Sequence, residues 1–157
     1  MSKRIGSGAA LLAGALAVTG LVFAPSAAAV TPTTATITAS CGIFGGGAAT
    51  LTATQSGTSA TITLTSSAIT TPIALGANSI SSTLTMANST GSARVFSGSV
   101  NPAMAAGASI TVGPLPGIVA SGDKLDFNGG SLKMVVLGIT LTCTTSTAQA
   151  PGPFVFD

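Results

Sequence analysis

Ala60-Thr61-Ile62-Thr63-Leu64-Thr65 alternates an apolar side chain with a hydroxyl at every step. A period of two puts Ala60, Ile62 and Leu64 on one face of an extended chain and the threonines on the other, the pattern of a half-buried β-strand. The same rhythm recurs in Thr36-Ile37-Thr38-Ala39, Ala108-Ser109-Ile110-Thr111-Val112 and Ile139-Thr140-Leu141-Thr142. Further strands are predicted at Thr50 to Gln55, Ser79 to Ala87, Arg94 to Val100, Lys124 to Phe127 and Ser131 to Val136, because β-branched residues suit a pleated surface and disfavour helix. Turn-forming clusters separate them at Gly45-Gly46-Gly47, Gly57-Thr58-Ser59, Gly76-Ala77-Asn78, Asn88-Ser89-Thr90-Gly91, Gly113 to Gly117, Gly122-Asp123 and Asn128-Gly129-Gly130. The expected fold is all-β: a single antiparallel β-sandwich, Ig-like or small barrel-like, of about 8–9 short strands. The Trp and Tyr that mark an immunoglobulin core are absent from the chain.

Upstream of the first strand, Lys3 and Arg4 precede an apolar run from Ile5 to Phe23, and Ala24-Pro25-Ser26-Ala27-Ala28-Ala29 supplies small residues for cleavage. Residues 1–29 read as a secretory signal peptide cut after Ala29. The competing reading is an uncleaved anchor, since about twenty apolar residues can cross a bilayer; the Ala-rich site and the glycines at 6, 8, 14 and 20 favour removal. Residues 30–147 then form the β domain and 148–157 a C-terminal tail. The expected location is secreted, extracellular or associated with the cell surface.

Beyond the leader, Arg94, Lys124 and Lys133 balance Asp123, Asp126 and Asp157. No cluster of basic residues is available for phosphate contacts, so nucleic acid is not an expected partner, and no membrane contact is expected after signal removal. Near-zero net charge also removes the repulsion that keeps domains apart. Cys41 shares parity with Ile37 and Ala39, and Cys143 with Ile139 and Leu141, so both thiols should point inward. In an exported chain such a pair is expected to form a disulfide. Gly138 lies where the apolar parity changes, from Leu132, Met134 and Val136 to Ile139, Leu141 and Cys143. A bulge or bend there would return both sets to the core; alternatively both faces are covered.

Catalytic chemistry has little to draw on. The chain holds no His, and its three acidic residues are all Asp, so the commonest general acid–base group is missing. Asp126-x-Asn128-Gly129 faintly echoes a calcium loop, but such a site wants six to eight oxygens, and Asp and Asn in a Gly-rich stretch are ordinary turn residues. Asp123 and Asp126 could act as paired acids only across a cleft. A serine nucleophile would have only Lys124 or Lys133 as base, without a supporting motif. No catalytic residue, metal site or cofactor is therefore expected, and the protein reads as not an enzyme. Asn88-Ser89-Thr90 matches the glycosylation sequon and reads as a hairpin tip; Arg94 reads as a solitary strand-edge cation.

Two apolar segments are candidate contacts. Ile43 and Phe44, in a glycine-rich loop beside Cys41, either touch a partner or lid the core; Phe154 and Phe156, in the tail, either fold back or dock on a neighbour's sheet edge.

A cysteine in the first strand (Ala39-Ser40-Cys41), Pro72 to Gly76, Ser97-Gly98-Ser99-Val100-Asn101-Pro102, Ser121 to Gly130 and Leu141-Thr142-Cys143-Thr144 together resemble the two-cysteine secreted β-sandwich domains of actinobacteria, which have no assigned activity. The resemblance spans about Thr36 to Thr145, and Ser40 stands where those domains often carry an aromatic. It implies an exported, disulfide-bonded domain and transfers no catalytic residue. The expected function is a non-enzymatic structural or adhesive cell-surface protein, with a cell-wall or surface component or a second copy as partner. The alternative is a secreted binding or inhibitory module using a loop or the apolar tail.

Overall fold

A computed structural model describes residues 29–157. The expected leader falls outside the described residues except for Ala29. Nine strands follow one another: β1 (Thr34–Ser40), β2 (Gly46–Ser56), β3 (Ser59–Thr70), β4 (Ile80–Asn88), β5 (Arg94–Gly98), β6 (Ser109–Ile118), β7 (Lys124–Val136), β8 (Ile139–Cys143) and β9 (Phe154–Val155). Among the described residues there is no α-helix, only a 3-10 turn at Gly42–Phe44. All strand pairs are antiparallel, in the order β1-β2-β3-β6-β5-β4-β7-β8, with β9 on β7.

Alternation builds the core. Ala35, Ile37 and Ala39 of β1, Leu51 and Ala53 of β2, Ala60, Ile62 and Leu64 of β3 and Leu84 and Met86 of β4 are all buried, with hydroxyl residues between them facing out. Two strands change phase partway. In β6, Val112 and Leu115 are both buried although an odd number of steps separates them. Ile62 and Leu64 of β3 face Leu115 and Val112, so two steps on one strand meet three on the other, and the extra residue is a β-bulge. The Gly113–Gly117 segment is thus not an inter-strand turn as expected but the kinked middle of one strand. A side chain on Gly113 would meet Thr63 Cα at 2.9 Å.

The second reset is larger. Leu125 and Phe127 point inward on one parity, Leu132 and Met134 on the other, and between Thr85 and Ala87 of β4 the facing strand advances from Ser131 to Asp126. Asn128-Gly129-Gly130, expected as a turn between two strands, is a bulge within β7. A Cβ on Gly130 would run into the Thr85 carbonyl oxygen, so glycine lets the strands approach there.

The sheet curls into a half-barrel. Edge strand β1 bonds with the chain beyond β8: Ser40 and Thr144 exchange both backbone hydrogen bonds, as do Thr36 and Ala150, and Thr31 and Val155. Beside this seam Cys41 and Cys143 form the disulfide, joining residues 102 apart. Within residues 148–157, read as a C-terminal tail, Ala150 bridges Thr36 and Phe154–Val155 pairs with β7 as β9. Phe154 and Phe156 are fully buried in the core, Phe156 N–H donates to Asp123 O and its carbonyl accepts from Gly122 N–H. Of the two readings, folding back or docking on a neighbour, these residues take the first: folding back removes two aromatic side chains from water and pairs the Phe156 backbone at once.

Candidate functional site

The disulfide end of the half-barrel carries an apolar groove of about 330 Å³. Its floor is Cys41, Leu75, Ile110 and Met134, all buried, and Ile69, Val136 and Leu141 are partly buried around them. Three connections form the rim.

The first is Gly42–Phe44. Cys41 N–H donates to Gly45 O at 2.8 Å and Gly45 N–H to Gly42 O at 3.0 Å, a closure that places Gly42 and Gly45 at φ of 64° and 87°, where glycine is favoured. None of its residues is buried. Ile43 is 96% exposed and Phe44 is exposed beside it, so this loop rims the groove rather than lidding the core. The second is Thr71-Pro72-Ile73 after β3. Thr71 donates from its backbone to Ala108 O and from its hydroxyl to Ala105 O, and its own carbonyl accepts from Gly107 N–H, which leaves Ile73 exposed above a fixed base.

The third is the β7–β8 reversal. Val136 pairs with Ile139, so Leu137 and Gly138 form a two-residue hairpin turn, with φ of 49° and 80°. The parity change expected to need a bulge or bend is met here by a complete reversal of direction. Both apolar sets do share one face, since Leu132 pairs with Cys143 and Met134 with Leu141, but burial fades toward the tip and Ile139 is exposed. Asn and Gly suit such positive-φ turns; leucine there costs about 1–2 kcal/mol. Leu137 is nonetheless 71% exposed and gains no packing in return.

Of the seven large apolar residues exposed among the described residues, five (Ile43, Phe44, Ile73, Leu137 and Ile139) surround this groove. Ile43 and Phe44 were legible in the sequence. Ile73, Leu137 and Ile139 were not, since alternation assigns Ile139 inward and a leucine hides the two-residue turn. A shallower hollow of about 410 Å³ lies at the opposite end, over the outer faces of β2, β3 and β6. There Thr54 and Thr61 hydrogen-bond each other, and Gln55 is held by Gly57 O and by the backbone of Asp157.

The carboxylates expected to be weak candidates are committed to the fold. Asp123 is buried; its oxygens accept from Arg94 Nε at 2.6 Å and Nη2 at 3.1 Å, Asn88 Nδ2 at 2.6 Å and Ala120 N–H at 2.8 Å. Arg94, read as solitary, is its ion-pair partner. Twenty-nine positions separate the two, and no sequence signal joins them. Asn88 is buried and its amide nitrogen is taken, so only Ser89 to Gly91 form the hairpin tip. Asp126 accepts from Asn128 N–H and, at 3.3 Å, from Gln149 N–H. Among the described residues no three His, Cys, Asp or Glu side chains cluster as metal ligands. Lys124 and Lys133 are exposed.

Burial pushes the Asp123 carboxyl up, but the hydrogen bonds from Arg94, Ala120 N–H and Asn88, with the Arg94 charge, hold it below the ordinary aspartate value. A depressed native pKa contributes stability that is present above the unfolded value, about 3.9, and lost as pH falls through the lower native value. Denaturant midpoints followed downward from pH 6 should therefore drop below about pH 4. In Asp123→Asn that share of the acid sensitivity should vanish. An identical pH profile in both proteins contradicts this account.

Comparison of the chain with known protein families, with curated proteins and with solved structures finds no match.

Proposed function

We propose that this chain is an exported, non-enzymatic structural or adhesive surface protein whose contact face is the apolar groove at the disulfide end. The observation that carries this reading is the gathering of exposed Ile43, Phe44, Ile73, Leu137 and Ile139 around one concavity, because exposed apolar residues scattered singly need no explanation whereas a contiguous patch marks a contact. A Cys41–Cys143 disulfide accords with an oxidising compartment. The tight structural employment of Asp123 supports a role without turnover.

We read the half-barrel as two facing layers, β1-β2-β3-β6 and β5-β4-β7-β8, in the manner of a sandwich. What supports this is the weak join between β5 and β6, a single pair between Phe96 and Gly117, against long ladders elsewhere.

The same groove favours a second reading, a binding or inhibitory module working through the Ile43-Phe44 loop. Fractionation of cells and medium tests the first. The chain is expected in the envelope fraction or in self-assembled material, and Ile43→Ser with Leu137→Ser should release it as dilute monomer. A wild-type chain already free and monomeric in the medium defeats the surface role; one specific secreted protein captured by the loop selects the second reading.

A further inference from the structure

We infer, against the expectation that the exported chain makes no membrane contact, that the groove end inserts into the surface of an electrically neutral lipid layer, the hydrocarbon covering both the groove and the tips around it. The inference rests on the contact face proposed above and names what that face meets.

Four observations support it. First, much of the polar lining of the groove floor is already engaged within the fold. Leu75 exchanges backbone hydrogen bonds with Met104, Thr71 has its N–H, carbonyl and hydroxyl all engaged, and Met134, Val136, Ile139 and Leu141 lie in the β7–β8 ladder. A polypeptide docked there would bring backbone N–H and C=O groups that need partners; hydrocarbon brings none.

Second, a ligand confined to the groove would leave its rim wet. Ile43, 96% exposed, and Leu137, 71% exposed, project beyond the concavity. A layer deep enough to accept several loop tips covers both together.

Third, charge is segregated along the molecule. No groove residue is ionisable, apart from a cysteine held in the disulfide. Arg94, Asp123, Lys124, Asp126 and Asp157 gather at the opposite end: Arg94 and Asp126 face Met86 and Ala87 at the end of β4, Lys124 pairs with Val155, and Asp157 meets Gln55 near the β2–β3 turn. Lys133 lies on the outer side of β7, where it faces Thr83 and Thr142 outside the groove lining. Such an end has no electrostatic preference for anionic lipid and loses no ionic hydration on entering a neutral one.

Fourth, Leu137 occupies a left-handed turn position where a water-facing tip would use Asn or Gly. A leucine held there and exposed is explained by a medium in which its side chain is buried by contact.

Flotation of the oxidised chain with phosphatidylcholine vesicles tests the inference. Wild type should float with the vesicles to the same extent at low and high salt. Ile43→Ser combined with Leu137→Asn should lower the partition coefficient at least about tenfold, the consequence of withdrawing two large aliphatic contacts. Both positions are exposed, so the variant should keep its disulfide-linked mass and unfold at the same or a higher denaturant concentration. Absence of flotation overturns the inference, as do equal flotation of the variant, binding restricted to anionic vesicles and lost in salt, or a lipid-free dimer that the variant abolishes. Should wild type fail to float yet remain in the envelope fraction in a manner the variant destroys, the lipid contact falls and the surface role stands. Loss of envelope retention by wild type removes the surface role itself.

Discussion

Replacing Cys41 and Cys143 together with alanine is expected to lower the unfolding free energy by about 3–5 kcal/mol, a large share of the 5–15 kcal/mol available to a domain. The cross-link spans 102 residues, and closing a loop of about 100 residues removes roughly 4.7 kcal/mol of unfolded-chain entropy in the simplest model. The geometry localises a second effect. Cys41 and Cys143 sit beside the Ser40–Thr144 bridge, where edge strand β1 meets the chain leaving β8. Without the bond this seam retains isolated backbone pairs at Ser40, Thr36 and Thr31 and the hydrogen bond from the Thr36 hydroxyl to Ala150 O. Urea titration should show a lower midpoint and, because the unfolded chain expands when uncrosslinked, a larger m-value. Hydrogen exchange should show early loss of protection at residues 40–45 and 139–144. An unfolding free energy within about 0.5 kcal/mol of wild type would falsify the claim that the seam depends on sulfur.

Phe154→Ala with Phe156→Ala should be at least as damaging. Each ring is fully buried, and removing a buried Phe side chain costs about 3–5 kcal/mol; the pair should fall short of the sum, since neighbouring sites share the space that collapses. The rings flank Val155, whose backbone pairs with Lys124 of β7 and with Thr31, and Phe156 ties the backbone to Gly122 and Asp123 next to the Arg94 ion pair. Destabilisation should therefore spread to the charged end of the molecule. Thermal unfolding of the double variant, read alongside exchange at residues 120–125, checks this. Unchanged stability combined with lost self-association would instead mean that the tail serves a neighbour.

Phase decides where the alternation in the sequence and the strands of the structure agree. Residues 34–40, 46–56 and 59–65 hold their alternation, and there the strands lie where the hydroxyl rhythm puts them. Alternation is a property of each residue and its second neighbour, so it needs no knowledge of the rest of the chain. The two turns that prove to be bulges lie where the rhythm slips. Gly113 to Gly117 and Asn128 to Gly130 are rich in Gly, Pro and Asn, which serve bulges and turns alike. Whether such a segment reverses the chain or only shifts its register depends on the strand alongside: β3 opposite Gly113, and Thr85 opposite Gly130. At Leu137-Gly138 the opposite happened, and a suspected kink is a full reversal.

The candidate site shows the same division. Ile43 and Phe44 stood out locally because apolar residues among glycines beside a cysteine are unusual in a loop. Ile73, Leu137 and Ile139 join them only because hairpin connectivity brings the β1–β2 loop, the segment after β3 and the β7–β8 turn to one end. By itself the sequence determined the all-β class, the inward cysteines and the balance of charge, since these follow from side-chain identity and spacing along an extended chain. The tertiary structure alone decided which edges meet, which breaks in rhythm are bulges, that Arg94 neutralises Asp123 and that Phe154 and Phe156 complete the core. Those are contacts between segments far apart in the chain, and they depend on strand order and register that alternation does not encode.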